Sequence, residues 1–144
     1  MKHKGAIMEY SKERMDDLMS AYDEYISSCD YIRMSEVYKI IVNMPSRRFW
    51  VSDIRAALII SAMMRGKTDL STMCPLKKEM YEEIYNRVFK LQEECPELTI
   101  SELCAKVIAQ PAPKFYLTPG SAKVMVCKAR KQWIQEKWKR LRLL

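Results

Sequence analysis

The sequence predicts an all-α protein built from two tandem three-helix units. Two observations carry this prediction. Apolar residues recur at helical spacing along much of the chain, which is typical of amphipathic helices. The chain also matches itself without a gap at an offset of 66 residues, with residues 12–66 aligned on residues 78–132. Each copy therefore supplies the same succession of elements and its own apolar face to a common core.

Eight identities fix the register of this repeat. They fall at Lys12/Lys78, Glu13/Glu79, Cys29/Cys95, Ser35/Ser101, Glu36/Glu102, Pro45/Pro111, Phe49/Phe115 and Ala56/Ala122. The stretch between the copies contains Thr, Ser and Asp but no periodicity, which indicates a linker. The sequence thus predicts a first unit over residues 1–66, a linker over residues 67–75 and a second unit over residues 76–144.

Each unit is predicted to begin with a long amphipathic helix and to continue with a short one. Apolar positions follow helical spacing over residues 15–29 in the first copy and over residues 81–95 in the second. The shorter helix is expected to begin at Ser35 or Ser101, whose hydroxyl would cap free backbone N–H groups. It is expected to end near the repeated proline of each copy.

An extended connector with an aromatic pair precedes each third helix. It covers residues 45–51 in the first copy and 111–117 in the second, and each contains Phe followed by Trp or Tyr. Proline restricts the residue before it to extended conformations, and the aromatic pair needs a pocket. Phe49 and Phe115 are therefore expected to be packing anchors.

The beginning of each third helix is marked by a hydroxyl residue. Ser52 and Thr118 are candidates for the N-cap, and Pro119 suits the first helical position. Gly66 is expected to end the third helix of the first copy. This order of helices is similar to that of helix-turn-helix DNA-binding domains, whose last helix enters the major groove. The connector exceeds the usual turn, so the sequence predicts a variant with an extended insert.

The positive charge of the chain is concentrated near its carboxyl end. The formal net charge is +7, with ten Lys and Arg against nine Asp and Glu in residues 1–66, but fifteen against nine in residues 67–144. From Lys114 onward, nine basic residues accompany a single acid, Glu136. Such a block attracts a polyanion, which predicts duplex DNA as a partner.

Only the second of the two third helices is suited to a DNA groove. Residues 54–64 are apolar on nearly every side, which predicts a core helix or a homodimer contact. The second copy keeps a narrower apolar stripe among basic residues. Arginine and glutamine read bases, whereas lysine mostly positions the phosphates. The predicted DNA contacts are Arg47, Arg48, Lys114, Ser121, Lys123, Lys128, Arg130, Lys131 and Gln132.

Other interpretations stay open at this point. The basic residues also fit a solvated face, with Trp133, Trp138 and Leu141 as core contacts. A protein-interaction adaptor that docks on a host protein, through residues 54–64 or the basic tail, fits three-helix units as well. RNA binding has no support beyond charge, because an RNP-type strand pattern and a Gly-x-x-Gly loop are both missing.

The sequence argues against catalysis, cofactors and membrane insertion. The one histidine, His3, lies near the amino terminus, so the fold lacks a Ser-His-Asp or Cys-His arrangement. Three glycines leave little material for phosphate loops, and no Cys-x-x-Cys pair indicates a metal site. The longest apolar run, residues 56–64, is too short to span a bilayer, and no signal-peptide pattern precedes it. We therefore expect a cytoplasmic, non-enzymatic protein without metal or cofactor.

Two stretches carry a resemblance to a protein class. Residues 47–52, Arg-Arg-Phe-Trp-Val-Ser, are one, and residues 110–124, Gln-Pro-Ala-Pro-Lys-Phe-Tyr-Leu-Thr-Pro-Gly-Ser-Ala-Lys-Val, are the other. Through them the chain resembles the small basic uncharacterised proteins of bacterial prophages and mobile elements. The resemblance covers most of the chain and implies no activity and no site residue. It implies a setting in which small DNA-binding regulators are common.

Overall fold

The structure, a computed structural model, describes residues 4–67 and 70–142, with side chains from Tyr10 onward. The described part is all-α, as predicted from the apolar spacing. A short 3-10 helix, Leu70–Thr72, lies within the predicted linker. The α-helices in chain order are α1 (Lys4–Ser28), α2 (Met34–Ile41), α3 (Asp53–Met64), α4 (Pro75–Glu94), α5 (Ile100–Ile108) and α6 (Pro119–Arg142).

The short helices α2 and α5 are capped two residues earlier than predicted. In α5 the cap is Thr99, whose Oγ1 accepts a hydrogen bond of 3.2 Å from the N–H of Glu102. The equivalent cap position of α2 is Arg33, which makes no capping hydrogen bond through its side chain. The repeated serines Ser35 and Ser101 lie in the first turn of each helix instead.

Both third helices begin at the predicted hydroxyl residues. Ser52 and Thr118 each accept a hydrogen bond of 3.1 Å from the backbone N–H three residues further on. The helix α3 ends before Gly66, which adopts a left-handed φ of 66°. The N–H of Lys67 then donates to the carbonyl of Ala62 at 2.9 Å, so the last turn is closed by a Schellman motif.

The two repeats exchange their third helices. The helix α3 packs on α4 and α5, whereas α6 packs on α1 and α2. Buried apolar residues form two clusters that follow the same division. One cluster lies in the α3–α4–α5 unit and the other in the α1–α2–α6 unit. Among the described residues, no closely packed pair joins α2 to α3 or α5 to α6. The packing therefore divides the chain differently from the sequence repeat, and neither repeat forms a helix-turn-helix within itself.

The connectors cross at the place where the exchange occurs. Ser46 and Ala112, which are equivalent at the 66-residue offset, form an antiparallel bridge with two backbone hydrogen bonds of 3.0 Å. The N–H of each connector phenylalanine donates to the other repeat, to the carbonyl of Ile108 in one case and of Val42 in the other, both at 3.0 Å. The donors and acceptors of these two bonds are related by the 66-residue offset of the repeat. A pseudo-twofold axis therefore passes between the connectors.

Aromatic side chains anchor the crossing. Phe49 is fully buried in the α3–α4–α5 unit and Phe115 is buried in the α1–α2–α6 unit, which confirms both as packing anchors. Each phenylalanine lies between the third helix of its own repeat and the first two helices of the other repeat. Trp50 packs instead in the α1–α2–α6 unit with the first two helices of its own repeat. The two neighbouring aromatic side chains of the first connector are therefore buried in different clusters.

Candidate interaction surface on the last helix

Arg47, a predicted DNA contact, is engaged within the protein. The carboxylate of Asp17 on α1 is buried, and its Oδ2 accepts hydrogen bonds of 2.8 Å from the N–H of Arg47 and from the indole N–H of Trp50. The guanidinium of Arg47 lies 3.5 Å from Oδ1 of the same carboxylate and donates to Ser20 at 2.7 Å. Arg47 therefore fixes the first connector to α1.

Arg48 is held in a second internal arrangement. Its guanidinium donates to the backbone carbonyl of Phe49 at 3.1 Å and to that of Val51 at 2.8 Å. The same group lies over the ring of Trp50, 5.1 Å from the centroid, and over the ring of Tyr10 at 5.8 Å. These cation–π contacts and hydrogen bonds hold the Arg48 side chain against the protein.

Lys114 is also paired inside the chain. Its Nζ lies 2.6 Å from Oε2 of Glu79 on α4 and 5.6 Å from the ring centroid of Tyr116. The acids that neutralise Arg47 and Lys114 lie at least 30 residues away in the chain, so charge counting along the sequence missed them. The predicted phosphate clamp in the connectors is thus not formed by free side chains.

The remaining predicted contacts all lie on α6 and are exposed. Arg130 touches the body of the protein, where its guanidinium lies 3.5 Å from the Tyr22 hydroxyl. A helix turns by about 100° per residue, so these residues do not share one face. Lys123 and Arg130 project to one side, and nearly opposite them project Ser121, Lys128 and Gln132.

The helix α6 extends beyond the surface on which it packs. Its buried residues, Ala122 and Val126, lie in the first half, and every residue from 130 to 142 is exposed. Trp133 is 62% exposed and Trp138 is 60% exposed. The expectation that these tryptophans and Leu141 are core contacts is wrong, because α6 is twice as long as α3 and overshoots α1 and α2.

An apolar stripe, which we call the α6 seam, runs along the exposed side of this helix. Its positions follow alternating steps of three and four residues, which is the spacing of a coiled-coil stripe. Lys131 interrupts the seam near its middle. The spacing was visible in the sequence, and it was the available signal for these residues. The seam consists of Val124, Cys127, Lys131, Ile134, Trp138 and Leu141, all of them exposed.

The apolar helix predicted at residues 54–64 is mainly a core element. Its three buried residues, Ala56, Ile59 and Ile60, pack on α4 and α5. Ile54 and Leu58 remain exposed. A homodimer contact through α3 would therefore rest on these two side chains.

Three side chains have strongly raised pKa values because of burial. Burial raises the pKa of the Tyr10 and Tyr116 hydroxyls to about 12 and that of the Cys104 thiol to about 11. These groups are neutral near pH 7, so they supply no activated nucleophile. Within residues 4–67 and 70–142, no group of three or more His, Cys, Asp and Glu side chains is placed to hold a metal ion.

Comparison of the chain with family models, with curated proteins and with solved structures gives no match. In the described part of the chain, the helices are too short or too polar to cross a bilayer.

Proposed function

We propose that this protein is a non-enzymatic adaptor that binds an acidic protein partner through α6. The observation that carries the proposal is the exposed half of this helix, residues 130–142, with Ile134, Trp138 and Leu141 in solvent on one face. Large apolar side chains grouped on a surface mark interaction sites, and tryptophan contributes strongly to protein interfaces. Burial of such side chains by a partner removes apolar area from water.

The charge of this half of α6 defines the partner further. Residues 131–142 carry five Lys and Arg against one acid, Glu136. Within the described chain, none of these five basic side chains lies in an ion pair. Complementary charge steers association and suppresses wrong partners, so the partner surface is acidic. A factor of a phage or mobile element that docks on a cytoplasmic host protein is consistent with this function.

Duplex DNA is the second candidate. Lys123, Lys128 and Lys131 are exposed, and no acid in the described residues pairs with them. Unpaired lysines attract phosphates and would give salt-dependent binding. The DNA hypothesis rests mainly on α6, since Arg47, Arg48 and Lys114 each make contacts within the protein. It also leaves the exposed tryptophans without a role in a hydrated groove.

A photo-crosslinking experiment separates these functions. A benzophenone amino acid replaces Trp138 in the full chain, expressed in cells of the natural host, and a matched protein carries it at Phe89, an exposed aromatic of α4. We expect a defined protein adduct at position 138 that is missing at position 89. Adducts only with nucleic acid would favour the DNA function, and equal labelling at both positions would contradict a binding role for α6.

A further inference from the structure

The α6 seam has the register of a coiled coil. Written as a heptad abcdefg, positions 124, 131 and 138 are a, and positions 127, 134 and 141 are d. All six side chains are exposed. At about 1.5 Å per residue, the seam is about 26 Å long, which matches two and a half heptads of a partner helix.

The positions that flank the seam carry one sign of charge. In a coiled coil the e and g residues face the partner and select it by charge. In α6 five of these six positions are basic and none is acidic. The g positions are Lys123, Arg130 and Lys137, and the e positions are Lys128, Gln135 and Arg142.

From this register we infer that the α6 seam binds an amphipathic helix with acidic e and g positions. The inference rests on the proposed function and names the partner class. Ile134, Trp138 and Leu141 would insert into the apolar stripe of the partner. Lys131 lies at an a position, where a buried lysine lowers stability unless the partner supplies an acid. The basic flanks would form ion pairs with the acidic positions of the partner.

A second copy of this chain does not fit the seam. Parallel helices bring g against e, and antiparallel helices bring g against g and e against e. Either arrangement would place basic residues of one copy against basic residues of the other, which repels. The charge pattern thus disfavours self-association and favours a partner of opposite charge.

A designed peptide tests the inference with the full-length protein. The probe is a fluorescent helix of about three heptads, with Ile and Leu at a and d and Glu at e and g. A second peptide carries Lys at e and g. We expect micromolar binding of the acidic peptide by fluorescence anisotropy and no binding of the basic one. Equal binding of the two peptides would contradict the inference that the basic e and g positions of α6 select an acidic partner.

Paired charge reversals on α6 provide a matched control. Lys128→Glu with Arg142→Glu changes two e positions, whereas Lys139→Glu with Arg140→Glu alters net charge equally at b and c, away from the seam. We expect the first pair to weaken binding by about tenfold or more and the second by less than about threefold. Equal losses would mean that net charge alone drives binding, as for DNA or an anionic membrane, and would overturn the inference.

Apolar substitutions test the seam itself. Ile134→Asp should abolish binding of the acidic peptide, and Leu58→Asp, at an exposed position of α3, should leave it unchanged. Unaltered far-ultraviolet circular dichroism of both variants would show that the fold is kept. If the acidic peptide still binds the Ile134→Asp variant, the α6 seam is not its binding site.

The failure of this inference is distinguishable from that of the adaptor function. A protein adduct at position 138 without any binding of the acidic peptide would reject the acidic helix and keep the adaptor. Nucleic-acid adducts alone would reject both. Concentration-dependent dimerisation in light scattering that is lost in Ile134→Asp would assign the seam to a second copy and overturn the inference.

Discussion

Asp17 is the residue on which the position of the first connector depends. Its buried carboxylate accepts hydrogen bonds from a backbone N–H and from the indole of Trp50. The equivalent residue of the second repeat, Glu83, pairs instead with Arg87 on its own helix at 2.8 Å. Arg87 then donates to the carbonyl of Pro111 at 3.0 Å. The two repeats thus fix their connectors to the first helix by different side chains.

Removal of the Asp17 carboxylate should destabilise the protein. In Asp17→Ala the buried indole N–H of Trp50 and the N–H of Arg47 lose their acceptor, which costs about 2–4 kcal/mol of unfolding free energy. Asp16→Ala, at the exposed neighbouring position, should change it by less than about 0.5 kcal/mol. Urea denaturation of both variants checks this. Equal stability of the two would show that the Asp17 hydrogen bonds contribute little.

Two partly buried tyrosines make the stability of the protein fall in alkali. An unfolded tyrosine ionises near pH 10, whereas burial raises the pKa of Tyr10 and Tyr116 to about 12 in the folded protein. Between these values the folded state holds more protons, so its stability is complete below pH 10 and declines as the pH rises toward 12.

Substitution by phenylalanine should reduce that decline. The double variant Tyr10→Phe with Tyr116→Phe removes both hydroxyls, so its melting temperature should fall less than that of the wild type between pH 9 and pH 11.5. Tyr31→Phe, at an exposed position, should follow the wild type. Parallel alkaline curves for all three proteins would contradict a role for these hydroxyls.

At the scale of the elements, the sequence predicted what is local and missed what is distant. The caps Ser52 and Thr118, the stop at Gly66 and the burial of Phe49 depend on neighbouring residues or on a strong apolar signal, and all are present. Helix exchange leaves no such trace. An apolar face indicates that a third helix is buried. It does not indicate which repeat the helix packs on, because both repeats offer equivalent partner helices.

The site shows the same division between local and distant information. The exposure of Lys123 and Lys128 was expected from the polar side of α6 and is observed. Arg48 and Lys114 are predicted DNA contacts because they lie in the connectors beside a third helix, yet Arg48 also lies over the ring of Tyr10 and Lys114 pairs with Glu79, both on other elements. The spacing of the α6 tryptophans does not show where the core ends, and both lie beyond Val126, the last buried residue of the helix.

The swap of third helices between the repeats predicts which helices each phenylalanine stabilises. Phe49→Ala and Phe115→Ala should each cost about 3–5 kcal/mol of unfolding free energy, since both side chains are buried. Hydrogen exchange should increase first in α4 and α5 for Phe49→Ala, and first in α1 and α2 for Phe115→Ala. Mass spectrometry of exchanged peptides measures this. Faster hydrogen exchange in the first two helices of the phenylalanine's own repeat would contradict the swapped packing of the third helices.

The whole molecule has the arrangement of an exchanged dimer joined into one chain. The pseudo-twofold axis between the connectors relates equivalent hydrogen bonds, as a true axis does in a symmetric dimer. Within one chain the two third helices are no longer obliged to be alike. The first is mainly a core helix, and the second carries the exposed seam.

Separated halves should not fold alone. In a fragment of residues 1–67, α3 lacks α4 and α5, and α1 and α2 lack α6; a fragment of residues 70–144 has the converse defect. We expect each fragment to lose much of its helical circular dichroism and an equimolar mixture to regain it as a stable complex. A fragment that melts cooperatively as a monomer would show that a repeat is self-sufficient.

The crossing of the connectors also sets an order of events during synthesis. The helices α1 and α2 leave the ribosome early, but the helix that completes their core follows about 80 residues later in the chain. At translation rates of about 5–20 residues per second, the nascent chain waits roughly 4–16 s with Leu18, Val37 and Ile41 uncovered. The amino-terminal half is therefore a candidate client for chaperones that bind nascent chains, and slow codons after residue 70 would lengthen its exposure.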